Sequence, residues 1–208
     1  LLAALYIVGI DNVVVEVNNK EIPIMDGSSK EFVEILNKVG TKKLEKFRKF
    51  LKVKENIELI DNEKSISIEP NNTGLEVEFQ LDYKNKIIGK QKNRVLFEDK
   101  ESLKEIYQSR TFCLFEDIEL IKKNGLAKGG SLENAVVVKG ENILNPDGLR
   151  NTKEFVNHKI LDCIGDLFTS GYRMIASVNC SQGGHYMTNS LLRKVFENKD
   201  NFSIIEIQ

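Results

Sequence analysis

Residues 152–170 must face two environments at once. Phe155, Leu161, Ile164 and Phe168 recur at helical spacing and make an apolar stripe. His158, Asp162 and Asp166 follow one another at four-residue steps, about one helical turn each, so an imidazole and two carboxylates project from a shared face. Asn151-Thr152-Lys153-Glu154 reads as a capping box opening this helix, and Gly171 as its C-terminal cap. A helix divided in this way lays its apolar stripe on a core and turns its polar face toward a cleft.

The segments around it supply that core. Strands are expected at residues 65–68, 75–81, 86–97, 135–138, 173–180 and 202–207, with strict apolar alternation in 75–81. Residues 12–17, with three consecutive valines, read as a buried strand, and 52–60 as another. Ser28-Ser29-Lys30-Glu31 reads as a capping box for a helix with apolar positions Phe32, Ile35, Leu36 and Val39, stopped by Gly40. Further helices are expected at 102–108, 116–124 and 187–197, and residues 1–8 read as the tail of another. The class is α+β with largely antiparallel sheet. A turn at Asp61-Asn62 is taken as the domain boundary, dividing 1–62 from 63–208.

Composition excludes several functions. A net charge of −1 gives no pull toward nucleic acid or anionic membranes, and no apolar run reaches the length of a membrane span. Residues 41–54 are basic, with Leu44, Phe47 and Leu51 at helical spacing. That stripe is thin, so a solvated basic face is expected, with at most peripheral membrane contact. Cys113, Cys163 and Cys180 lack paired spacing, which fits reduced thiols in a cytosol.

His158 and Asp162 could supply two ligands to zinc, the others coming from elsewhere in the fold. The same spacing also occurs in solvated helix surface and in local hydrogen bonds. His185 follows Ser181-Gln182-Gly183-Gly184, and by itself it reads as readily as a loop histidine as a catalytic one. The glycine-rich stretch 125–135 lacks both the Gly-Lys-Ser/Thr ending of a phosphate loop and the spacing of a dinucleotide fingerprint.

Five ordered blocks decide among these readings: Gly9-Ile10-Asp11-Asn12 with residues 22–29, Ser109-Arg110-Thr111-Phe112, residues 125–135, residues 154–167, and Gly184-His185 before a helix. Together they resemble the UDP-3-O-acyl-N-acetylglucosamine deacetylases, the zinc amidases of bacterial lipid A synthesis, over nearly the whole chain. The resemblance implies two similar domains, each a mainly antiparallel sheet packed against helices, with the active site between them and the first domain incomplete here. It implies zinc as cofactor, with His158 and Asp162 as two of three ligands. His185 would protonate the departing amine, Asp166 would be its carboxylate partner, and the Thr111 hydroxyl would face the developing oxyanion. Lys159 would pair with the nucleotide diphosphate and Phe112 would line the pocket. Gly130, Ala135 and Val137 would border a passage for the acyl chain. The implied partner is an acylated UDP-amino-sugar, and the implied protein a cytoplasmic monomer.

In the family pattern an adjacent Glu-His pair, general base and third ligand, precedes the Leu-Leu-Ala-Ala-Leu stretch at which this chain begins. The chain is therefore expected to be an amino-terminally truncated or incompletely observed enzyme, inactive alone. The alternatives are a non-catalytic fragment that binds acylated sugar nucleotides and a zinc amidohydrolase acting on another acylated sugar. Glu31, Glu34 and Glu154 are left to helix or capping roles.

Overall fold

A computed structural model describes residues 1–97, 100–123, 125 and 129–207. Its framework is a seven-stranded sheet built from β1 (Arg48–Val53), β2 (Ile57–Asp61), β3 (Lys64–Pro70), β4 (Leu75–Asp82), β5 (Lys90–Leu96), β9 (Arg173–Ser181) and β10 (Phe202–Ile207). A smaller sheet joins β6 (Phe112–Leu114), β7 (Val136–Lys139) and β8 (Asn142–Ile143). The helices are α1 (Leu2–Val8), α2 (Lys30–Val39), α3 (Lys100–Gln108), α4 (Ile118–Lys123), α5 (Glu154–Phe168) and α6 (His185–Glu197). The result is mixed α+β, antiparallel-rich sheet packed against helices, as the sequence led us to expect.

β9 organises the large sheet. It pairs antiparallel with β3 and parallel with both β4 and β1. β4 shows why the sheet has an inner and an outer side. Leu75, Val77, Phe79 and Leu81 are buried, while the intervening Glu76 and Glu78 pair outward with Arg94 and Lys92 of β5. The buried side of β4 receives α5, whose Phe155, Ile160, Ile164 and Leu167 are all but fully enclosed. α1, α3 and α6 pack around α5 in turn. Because α5 is surrounded, a polar residue on it is either paired or lines a cleft. Asn62, at φ 54°, turns the β2–β3 hairpin, so the strands flanking that position are hydrogen-bonded neighbours.

Five expectations fail locally. Residues 12–17 form no strand, and Val13, Val14, Val15 and Val17 are exposed, because β propensity without a ladder partner does not make a strand. α2 buries Val33, whereas Ile35 and Val39 face outward, so the expected stripe is not its packed face. Residues 41–54 hold no helix despite the helical spacing of Leu44, Phe47 and Leu51: Leu51 and Val53 are buried at period two in β1, with Lys52 between them partly exposed. The expected capping box before α5 is also absent. Asn151 Oδ1 instead accepts from Lys153 N at 3.0 Å, and the Glu154 carboxylate turns inward to Arg110. α6 starts at His185, two residues before its predicted start.

Candidate functional site

Three turns of α5 build the centre of the site. His158 is nearly buried, and its Nδ1–H donates to the Ser109 carbonyl at 3.0 Å. A carbonyl oxygen can only accept, so in the neutral ring Nε2 carries the lone pair. That nitrogen stands 3.3 Å from Asp162 Oδ1. A lone pair facing a carboxylate is repulsive unless a proton or a cation lies between them. The second Asp162 oxygen accepts from Lys159 Nζ at 2.8 Å. Burial works against the Asp162 charge, but a proton on His158 Nε2 and the Lys159 ammonium outweigh it and hold the carboxyl well below the usual carboxylate range. Burial likewise opposes the Lys159 charge, and the Asp162 carboxylate more than compensates, raising the lysine above its ordinary value.

One turn further along α5, Asp166 presents both oxygens to His185 Nδ1 at 2.9 Å. His185 is the first residue of α6, where the helix dipole disfavours a cation. The hydrogen bond to Asp166 outweighs the cost of desolvation, and the His185 pKa lies above its ordinary value. Gln182, at φ 53°, helps turn the chain from β9 into α6 and so sets His185 beside Asp166.

Thr111 closes the site from another direction. It lies just before β6; its N–H donates to the Gly27 carbonyl at 2.8 Å and its carbonyl accepts from Val136 N at 2.7 Å. Thr111, His158, Asp162, Asp166 and His185 all line one cleft of about 720 Å³. That volume falls within the range of small-molecule sites, ~300–1,000 Å³. The lining is apolar elsewhere, formed in part by Val13, Val15, Ile22, Ile24 and Phe32.

The donor set fits zinc as two ligands of a larger set. An imidazole nitrogen and a carboxylate oxygen are ordinary zinc donors, and a backbone carbonyl holding the far ring nitrogen is the usual support for a ligating histidine. Among the described residues, no group of three or more His, Cys, Asp or Glu gathers here.

The remaining predicted positions sit elsewhere. Phe112 packs edge-on against Phe155 and Tyr83, with ring centroids 4.9 and 5.9 Å apart. Val137 is buried in β7, its N–H held by Asn145 Oδ1, and Gly130 is exposed. Gly130, Ala135 and Val137 do not line the cleft that holds His158, and residues 126–128 of the same block lie outside the described residues. Lys159 borders a second hollow with Lys64, Tyr83, Lys84 and Gln182, not the cleft that holds His158. Sequence reasoning missed the apolar wall at residues 13–24, which it read as strand and loop. It also missed the pairing of Glu154 with Arg110; the available signal was a carboxylate exactly four residues ahead of His158 on the ligand face.

Comparison with known proteins bears on this geometry. Residues 1–197 match the family described as UDP-3-O-acyl N-acetylglycosamine deacetylase. A protein of Shewanella violacea named UDP-3-O-acyl-N-acetylglucosamine deacetylase is 39% identical over 210 residues, covering 100% of this chain and 68% of its own length. Like-named proteins of Syntrophotalea carbinolica and Haemophilus ducreyi are 39% and 38% identical, over 99% and 98% of this chain and 66% and 67% of their own lengths. The chain thus spans about two thirds of these relatives.

Proposed function

The chain belongs to the UDP-3-O-acyl-N-acetylglycosamine deacetylase family, and on that premise we propose that it carries much of a zinc-dependent hydrolase acting on the acetamide of an acylated UDP-N-acetylglucosamine. The observation that carries this reading is the convergence of the His158–Asp162 pair, the His185–Asp166 pair and Thr111 on one cleft. His158 and Asp162 would hold the zinc. When bound there, zinc supplies Lewis-acid polarisation of the acetyl carbonyl and a nucleophile near neutral pH.

The chain's own groups handle the protons and the developing charge. His185, whose proton the hydrogen bond to Asp166 helps to hold, faces the departing nitrogen as a general acid. Water adds to the carbonyl carbon as it gives one proton to the general base, the C–N bond breaks, and the amine leaves with the proton from His185 while acetate is released. The Thr111 hydroxyl donates toward the carbonyl oxygen as negative charge develops there. Lys159 balances Asp162 and offers its ammonium to the substrate diphosphate. Gly130, Ala135 and Val137, with Phe112 behind them, would border the acyl chain on the side of the small sheet. The resemblance places a third ligand and the general base on a Glu-His pair ahead of residues 1–5. Leu1 and Leu2 line the same cleft as His158, so that position would be close to the metal.

The test is acetate release from a UDP-3-O-acyl-N-acetylglucosamine by the zinc-loaded full-length protein and by its His185→Ala variant. Zinc retained with turnover lowered by about 10²–10⁴-fold is expected for the loss of a general acid. Loss of zinc from that variant would make His185 a ligand and defeat the assignment.

A further inference from the structure

Glu154 is fully buried, yet its carboxylate has four donors. Oε1 accepts from Arg110 N at 3.0 Å and Arg110 Nε at 2.8 Å; Oε2 accepts from Arg110 Nη2 at 3.2 Å and Arg150 N at 2.6 Å. The same Arg110 Nη2 donates to the Gly148 carbonyl at 2.7 Å. A buried ion pair is weak ground for stability, since apolar residues of similar volume often serve a fold as well. What a planar guanidinium on a carboxylate supplies is fixed geometry.

That geometry bears directly on the site. Glu154 lies one turn ahead of His158 on the same face of α5. Ser109, Arg110 and Thr111 are consecutive: the Ser109 carbonyl holds the His158 ring, the Arg110 fork holds Glu154, and Thr111 lines the cleft. Segment 109–111 is thus fastened to two successive turns of α5, and a slip of one residue would break both fastenings. The Arg150 side chain extends the lock, with Nη2 2.8 Å from Asp26 Oδ2 and Nη1 donating to the Gln108 carbonyl at 2.9 Å. Asp26 precedes Gly27, whose carbonyl takes the Thr111 N–H.

We propose that Glu154 is a positioning residue that, through Arg110 and Arg150, sets the register of Thr111 against the His158–Asp162 pair. Its catalytic consequence rests on the deacetylase reading. The test uses Glu154→Gln and, as the milder change, Arg110→Lys, both in the zinc-loaded full-length protein. Turnover is measured per folded, zinc-loaded site, and the His158 Nδ1–H resonance is followed by NMR. Displacing a reacting group by about 1 Å costs on the order of 10²-fold, so kcat should fall roughly 10–100-fold with KM changed less than about threefold. The His158 resonance should shift or broaden. A folded variant with unchanged kcat and an unchanged His158 resonance overturns the proposal. Failure of both variants to fold assigns the pair to stability and overturns it as well. Absence of acetate release from the unsubstituted protein refutes the deacetylase reading instead, and the His158 resonance alone then decides the coupling.

Discussion

Gly27→Ala should be among the most damaging single-methyl additions in this chain, and the structure allows its cost to be worked out. Gly27 sits at φ 80°, where an L side chain is strained, and a Cβ there would stand 1.9 Å from the Asn134 carbonyl oxygen and 2.8 Å from its carbon. Both neighbours are backbone, so no flexible side chain can swing away. The left-handed conformation costs about 1–2 kcal/mol, and forcing an extra carbon into a packed contact about 1–3 kcal/mol. If Thr111 N–H also loses the Gly27 carbonyl, about 0.5–1.5 kcal/mol more is lost. Destabilisation of about 3–6 kcal/mol is therefore expected.

Gly171 separates the two main contributions, since it has φ 79° with nothing within 4 Å of its Cβ position. Gly171→Ala should pay only the conformational cost of about 1–2 kcal/mol. Urea unfolding of the full-length protein and both variants, with kcat measured on the folded fraction, checks the difference. Gly27→Ala should be the less stable by at least about 1 kcal/mol, and its kcat should fall because Thr111 moves with its backbone partner. Equal destabilisation of the two variants, with unchanged turnover, would refute the close approach of residues 26–28 to the small sheet and the placement of Thr111 derived from it.

Other outcomes follow from the same geometry. Asp166→Asn removes the hydrogen bond that holds the His185 pKa above its ordinary value, so the basic limb of the kcat–pH profile, where His185 loses its proton, should move to lower pH; an unmoved limb would dissociate His185 from the acid role. If Lys159 meets the substrate diphosphate as proposed, Lys159→Ala removes a charge-assisted contact worth about 1.5–3 kcal/mol, and KM for the sugar nucleotide should rise by roughly ten-fold or more. A bulky residue at Gly130 or Ala135 should raise KM most for long-acyl substrates, because each buried methylene contributes about 0.8 kcal/mol. Equal effects on acylated and deacylated sugar nucleotides would place the acyl passage elsewhere.

The helix that organises the site was legible because its two periodicities, apolar and polar, both survive in the fold: α5 runs from Glu154 to Phe168 with Phe155 and Ile164 buried and His158, Asp162 and Asp166 on the cleft. β4 was legible for the same reason, its alternation being enforced by one buried and one salt-bridged side. What sequence could not show was pairing over long range. Residues 12–17 have the composition of a strand, but a strand exists only with a neighbour, and here Val13 and Val15 border a cleft. Residues 41–54 carry helical spacing and strand spacing at once, and the ladders of β1 with β9 and β10 settle the choice for the strand. Glu154 was read as a cap because a capping box and a buried ion pair use the same residue at the same place; its partner Arg110 is 44 residues away.

The central claim is that His158 and Asp162 hold a catalytic zinc. Zinc content and acetate release, measured together on the full-length protein and on His158→Ala and Asp162→Ala, test it most directly. Each substitution removes a ligand, so both variants should lose zinc and turnover in parallel while remaining folded. Variants that keep stoichiometric zinc and normal acetate release would contradict the account.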